Sequence, residues 1–187
     1  MTAVRPARLE DATTIARIEV ETWRSTYAGM VPDRVLLGMS ERRQTGSWLN
    51  FLRHGADDVL VAQNRFGKVV GFGNCGVQRD RAIDYQGEVY TLYVLSEEQG
   101  HGFGRLLLDA LFRRLVTRGQ RSALVWVLKA NPSRFFYERL GGRLVLHRAL
   151  PVGGQPVDAV AYGWRDAGAA LSRRARSGRL TDETPDD

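Results

Sequence analysis

Apolar positions along this chain change period several times, and each change predicts an element. Val4 to Arg8 reads as a short strand that Pro6 confines to a sheet edge. Behind Asp11, a residue suited to capping, Ala12, Ile15, Ala16, Ile18, Val20 and Trp23 recur with helical spacing. They predict a helix to about Tyr27, which Gly29 and Pro32 end. Helical segments follow around Val35 to Leu37 and Trp48 to Leu52. Val59 to Gln63 and Lys68 to Cys75 read as a hairpin about the turn Asn64-Arg65-Phe66-Gly67. In the next strand, Glu88 to Val94, alternation puts Glu88, Tyr90, Leu92 and Val94 on one face. Val89, Thr91 and Tyr93 fall on the other. Leu108, Leu111, Phe112 and Leu115 form the apolar stripe of a helix from Gly104 to Arg118. Ala123 to Leu128 is a buried strand, and Pro132 to Leu140 a short helix stopped by Gly141-Gly142. Leu144 to Leu150 and Val157 to Trp164 close the pattern as strands.

Composition narrows the class. The 187 residues suit one domain, expected over 1–164, followed by a charged, disordered tail over 165–187. No long apolar run suggests a membrane span, and Met1 to Leu9 lacks a signal-peptide core. The single cysteine, Cys75, excludes an internal disulfide and suggests no metal cluster, so a cytoplasmic protein is expected. The net charge is +6, yet the tail balances five arginines against five acids, so the excess sits on the folded part. That suits a polyanionic ligand or a nucleic acid. No nucleic-acid-binding motif accompanies it, so neither nucleic acid nor membrane is expected as a partner.

The run Gln99-Gly100-His101-Gly102-Phe103-Gly104-Arg105 carries the first chemistry. Alternating glycines just before a helix let backbone N–H groups approach an anion, and the helix end adds donors and partial positive charge. A dinucleotide fingerprint would need glycine where Arg105 stands, and a Walker A loop would need Lys-Ser/Thr after Gly104. A plain strand-to-helix turn would also use glycines. The spelling that fits, Gln99 with Gly102 and Gly104, resembles the acetyl-CoA pyrophosphate loop of the GCN5-related N-acetyltransferases, the GNAT superfamily.

A second stretch, Asn131-Pro132-Ser133-Arg134-Phe135-Phe136-Tyr137-Glu138-Arg139-Leu140-Gly141-Gly142, is similar to the other GNAT signature. Trp23, Tyr27, Gly29 and Pro32 resemble one branch of the same superfamily. The resemblance covers roughly residues 4 to 164. It implies an α/β (α+β) fold: a mixed, mostly antiparallel twisted sheet of six to seven strands. The sheet should splay between its fourth and fifth strands and be flanked by about four helices. It further implies transfer of an acetyl group from acetyl-CoA, with no metal, to a primary amine of a small molecule or peptide, by direct attack in a ternary complex. A monomer or homodimer is expected.

Site roles follow from the same resemblance. Leu92, Tyr93 and Val94 should contact the pantetheine arm, with the Val94 N–H polarising the thioester carbonyl. Gln99, Gly100, His101, Gly102, Phe103, Gly104 and Arg105 should hold the phosphates, and Asn131 and Ser133 the arm. Tyr137 should protonate the leaving thiolate. Glu88, opening the central strand, is the candidate base, and Trp23 and Tyr27 a wall of the acceptor site. Each residue also has a plain reading. Asn131-Pro132 is a good helix start without any ligand. Leu92 and Val94 suit a core, and Tyr137, Trp23 and Tyr27 suit aromatic packing. Glu88 suits an exposed strand start, and His101 a solvated loop. Two rival functions stay open: a non-catalytic acyl-CoA-binding module and a nucleic-acid-binding protein.

Overall fold

The computed structural model describes residues 2–55, 58–80 and 82–171. Seven strands form one open sheet in the order β1-β2-β3-β4-β5-β7-β6. They are β1 (Ala3–Pro6), β2 (Asp58–Gln63), β3 (Val69–Val77), β4 (Gly87–Val94), β5 (Ala123–Leu128), β6 (Arg143–Val152) and β7 (Gln155–Trp164). All neighbours pair antiparallel except β4 and β5. Strand β1 is the edge that Pro6 requires, since its missing N–H costs nothing there.

Helices α1 (Ala12–Thr26), α2 (Asp33–Gly38), α3 (Glu41–His54), α4 (Phe103–Thr117) and α5 (Arg134–Arg139) flank the sheet. Helices α1 and α3 cover one face, where Ile15, Ile18 and Trp48 meet Val61, Phe72 and Leu95. The apolar stripe of α4 covers the other face, where Leu107, Leu108, Leu111 and Leu115 meet Val70, Val89, Val94 and Val125. Asp11 ends a short 3-10 turn rather than capping α1 directly. Its carboxylate accepts the Arg8 N–H at 2.7 Å and two Arg5 guanidinium bonds at 2.7 and 2.9 Å. A final helical segment over 167–171 packs Ala167 and Leu171 on the core. Residues 172–187 of the expected tail lie outside the described residues.

One expectation about β4 fails. The register with β3 pairs Asn74 with Thr91 but Cys75 with Val89, so Tyr90 is an extra residue, a β-bulge. Parity therefore flips at Tyr90. Val89 joins Leu92 and Val94 over α4, whereas Glu88, opposite Gly76, turns to the same face as Thr91 and Tyr93. Strict alternation had put Glu88 with Leu92 and Val94, and a bulge leaves no trace in apolar spacing.

Past the bulge, β4 and β5 separate. They pair only from Gly87 with Ala123 to Val89 with Val125. The rest of β4, from Tyr90 on, has an open edge.

Candidate active site

The gap between the parted strands is a narrow cleft of about 80 Å³. Tyr90 to Val94 line one wall and Val125 to Val127 the other; Tyr27 from the end of α1, and Asn131, Ser133 and Tyr137 around α5, complete it. Leu95 N–H donates to the Val70 carbonyl on β3 at 3.0 Å. Alternation along an extended strand then points the Val94 N–H to the opposite, open edge. The Val94 carbonyl, on that same edge, accepts the Gln99 side-chain amide at 3.0 Å. Gln99 thereby ties the loop to the end of the strand.

Next to the cleft, Gly100 and Gly102 have φ of 80° and 84°, values that favour glycine. Gly104 has a different reason: a Cβ there would stand 3.3 Å from the Phe136 ring. The first bond of α4 runs from Leu106 N–H to Gly102 O. The amides of Phe103 and Gly104 precede it, at the positive end of the helix. The Phe103 side chain is core, so only its backbone is available to a ligand. His101 is exposed. Arg105 lines a separate, open concavity of about 750 Å³ around Arg139, Arg143 and Trp164. That hollow contains no other predicted site residue, and the convergent polar groups lie in the smaller cleft.

Asn131 is buried and holds the entry to α5. Its Oδ1 accepts the Ser133 N–H at 2.9 Å, a turn that precedes the helix rather than a bond within it. Its side chain offsets part of the rise that burial causes in the Tyr27 phenol. The Tyr137 ring packs beside Phe136, Tyr162 and Trp164. Burial, and then the neighbouring Tyr27 phenol, push the Tyr137 phenol above its ordinary range.

The predicted acceptor residues Trp23 and Tyr27 stand one helical turn apart, and a contact distant in sequence anchors Trp23. The Trp23 indole N–H donates to the Tyr93 hydroxyl at 3.0 Å, and its ring centroid lies 4.9 Å from that of Tyr27. The Tyr93 side chain is therefore spent on this contact and on Phe72, leaving its backbone for the cleft. Glu88 is 2% exposed and does not line the cleft. Arg79 holds its carboxylate through Nη2 at 2.5 Å, Nε at 3.3 Å and the backbone N–H at 3.2 Å. Cys75 is a buried core thiol near the Leu111 carbonyl.

Sequence reasoning missed Thr22, Thr26, Tyr90 and Thr91 of the cleft. The signal for the first two was their i, i+4 spacing on α1, beside the Trp23–Tyr27 pair. The Thr22 hydroxyl is buried and has no hydrogen-bond partner among the described residues. Among those residues no cluster of three metal-ligating side chains occurs, and no helix is long and apolar enough to cross a membrane.

Comparison with known proteins agrees with this geometry. A family model described as FR47-like protein matches residues 79–150, the span from the Arg79 loop into β6. The uncharacterized N-acetyltransferase YuaI of Bacillus subtilis (strain 168) is 35% identical over 169 residues, covering 90% of this chain and 96% of its own. The fold is similar to that of an N-acetyltransferase from Staphylococcus aureus Mu50, with TM-score 0.69 and 19% identity over 89% of this chain and 99% of that one. It is also similar to the PaiA N-acetyltransferase of Thermoplasma acidophilum, solved in complex with coenzyme A. There the TM-score is 0.63 and the identity 17%, over 88% of this chain and 99% of that one.

Proposed function

Because the chain belongs to the GCN5-related N-acetyltransferase superfamily, we propose that it transfers an acetyl group from acetyl-CoA to a primary amine of a small molecule or peptide. The observation that carries this reading is the parted β4–β5 edge, with the glycine loop at one end and Tyr137 on its wall. The residues fit such a donor. Val94 offers its backbone N–H to an amide-bearing arm on an edge that no strand pairs, the buried Thr22 hydroxyl has no partner among the described residues, and the Gly100–Gly104 backbone suits phosphates. When bound, acetyl-CoA supplies the thioester.

The chain's own groups then have separable tasks. Amides of Gly100 to Gly104 hold the phosphates at the helix end, and the Val94 N–H stabilises charge developing on the carbonyl oxygen. Tyr137 holds the proton that the leaving thiolate takes. Glu88 sits on the Thr91–Tyr93 face, but Arg79 occupies its carboxylate. It therefore takes up the amine's proton through an intervening water rather than by contact. Trp23 and Tyr27 bound the acceptor side, and α2 meets the β6–β7 turn, where Arg34 donates to the Gly153 carbonyl at 2.6 Å.

The test is thermal shift with acetyl-CoA, followed by thiol release against an amine panel with wild type and Tyr137→Phe. Stabilisation by acetyl-CoA is expected in both proteins, with turnover lowered about 100-fold in Tyr137→Phe. No stabilisation at millimolar acetyl-CoA would overturn the donor. Undiminished turnover in the variant would overturn the acid. Stabilisation with no thiol release for any amine would favour the non-catalytic acyl-CoA-binding alternative.

A further inference from the structure

A threonine inside a helix commonly turns its hydroxyl back to the carbonyl one turn earlier. Thr22 does not. It is 5% exposed, it lines the cleft, and its Oγ1 is buried without a hydrogen-bond partner among the described residues. A buried hydroxyl left this way costs stability, and one on the wall of a cleft points to a partner that a ligand brings.

Two contacts fix where this hydroxyl stands. Trp23 N–H donates to the Tyr93 hydroxyl at 3.0 Å, and the Ser25 and Ser96 hydroxyls meet at 3.4 Å. They fasten the last turns of α1 along the end of β4, and Val94 lies between the two attachments. Thr22 and Val94 both line the cleft, which is narrow, so a group seated there stands against both walls. Several polar neighbours are already engaged. The Val94 carbonyl accepts the Gln99 amide at 3.0 Å, and Thr91 Oγ1 bonds Asn74 Oδ1 at 2.6 Å. Asn131 Oδ1 accepts the Ser133 N–H at 2.9 Å. Two donors from different elements remain: the Val94 N–H, on an edge that no strand pairs, and the Thr22 O–H. The pair suits one carbonyl oxygen, whose two lone pairs accept two bonds.

We propose that Thr22 is a catalytic residue of this site, its hydroxyl donating to the thioester carbonyl oxygen of acetyl-CoA as a second donor beside the Val94 N–H. The inference rests on the reading of the cleft as the acetyl-CoA site, with that oxygen at Val94. Strand β4 meets an extended arm along its edge and has one N–H to give at Val94. Helix α1 adds the second bond from outside the sheet. Thr22 gives up no proton. Charge gathers on the oxygen as the amine's electron pair forms the C–N bond, and it leaves again as the C–S bond breaks. Donors already in place for that charge lower the barrier, because nothing has to reorient as it develops.

Calorimetric titration with acetyl-CoA and with CoA tests this without any acceptor. The two ligands differ only in the acetyl group, which carries the oxygen in question. Thr22→Val keeps the branched shape and loses the hydroxyl, whereas Thr22→Ser keeps it. Thr22→Val should raise the Kd for acetyl-CoA about tenfold and leave that for CoA within about twofold. Thr22→Ser should stay within about twofold for both. An equal rise for both ligands would put the hydroxyl on the arm, and no rise for either would remove it from the site; each overturns the proposal. Without ligand, Thr22→Val should melt no lower than wild type, because no bond within the fold is lost. A clear loss of unliganded stability would show the hydroxyl bonded inside the fold and overturn the proposal as well. With an amine that turns over, Thr22→Val should lower kcat about tenfold or more, and an unchanged kcat would refute the catalytic role. Failure of wild type to bind either ligand would instead refute the donor site beneath the proposal.

Discussion

Gly142→Ala is the sharpest test of how packing behind the cleft sets its chemistry. Gly142 follows α5 and donates its N–H to the Tyr137 carbonyl at 2.9 Å. A Cβ there would stand 2.7 Å from Trp164 Cζ2 and 2.9 Å from that same carbonyl oxygen. The carbonyl cannot retreat without breaking the bond that ends the helix. The Trp164 ring cannot move without losing its own N–H bond to Leu140 O at 3.0 Å, or its packing on Phe112. Overpacking of a tight core costs about 1–3 kcal/mol, and a broken buried hydrogen bond about 1 kcal/mol more. The expected loss is about 3 kcal/mol, or about 6–12 °C in Tm for a domain of this size. Urea unfolding measures it. The same displacement moves the helix that carries Tyr137, so kcat should fall at least about tenfold while acetyl-CoA still stabilises the protein. In a Trp164→Phe background the added methyl should cost less, about 1 kcal/mol, because the smaller ring leaves room. A Gly142→Ala protein within about 0.5 kcal/mol of wild type would refute the close-packing account. An equal cost in both backgrounds would place the clash on the backbone alone.

Two further outcomes follow from the same structure. Gly102→Ala meets no atom within 4 Å but must hold φ near 84°, so backbone strain is its whole effect. Stabilisation by acetyl-CoA should weaken by about 1–2 kcal/mol while the unliganded melting curve moves less, as paired thermal shifts would show. Unchanged stabilisation would remove the loop from the donor site. At Asp11, burial opposes ionisation, but the Arg5 bonds and the Arg8 N–H outweigh it and hold the carboxyl below its usual range. A depressed folded-state value contributes stability above the unfolded value near ~3.9 that is lost as pH falls through the folded one. Wild type should therefore lose stability below about pH 4 more steeply than Asp11→Asn, and parallel curves in acid denaturation would contradict the ion pair's role.

Local physics decided much of this protein at the level of sequence. The stripe of α4 needs only residues three and four apart, the hairpin about Asn64–Gly67 only a turn, and the glycine loop only backbone freedom beside a helix end. Those interactions close within a few residues, so the spelling carries them. Tertiary structure decided the rest, because it depends on partners far along the chain. The bulge at Tyr90 exists only against β3, and it turns Glu88 to a face that alternation assigns wrongly. Arg79 claims Glu88 from across a loop. Trp23 reaches Tyr93 over 70 residues, and the Asn131 oxygen is spent on the Ser133 N–H at the entry to α5. The sequence by itself determined which residues are available to the cleft. Which atoms of them face it was decided only when the sheet parted and most buried polar groups took partners elsewhere in the fold.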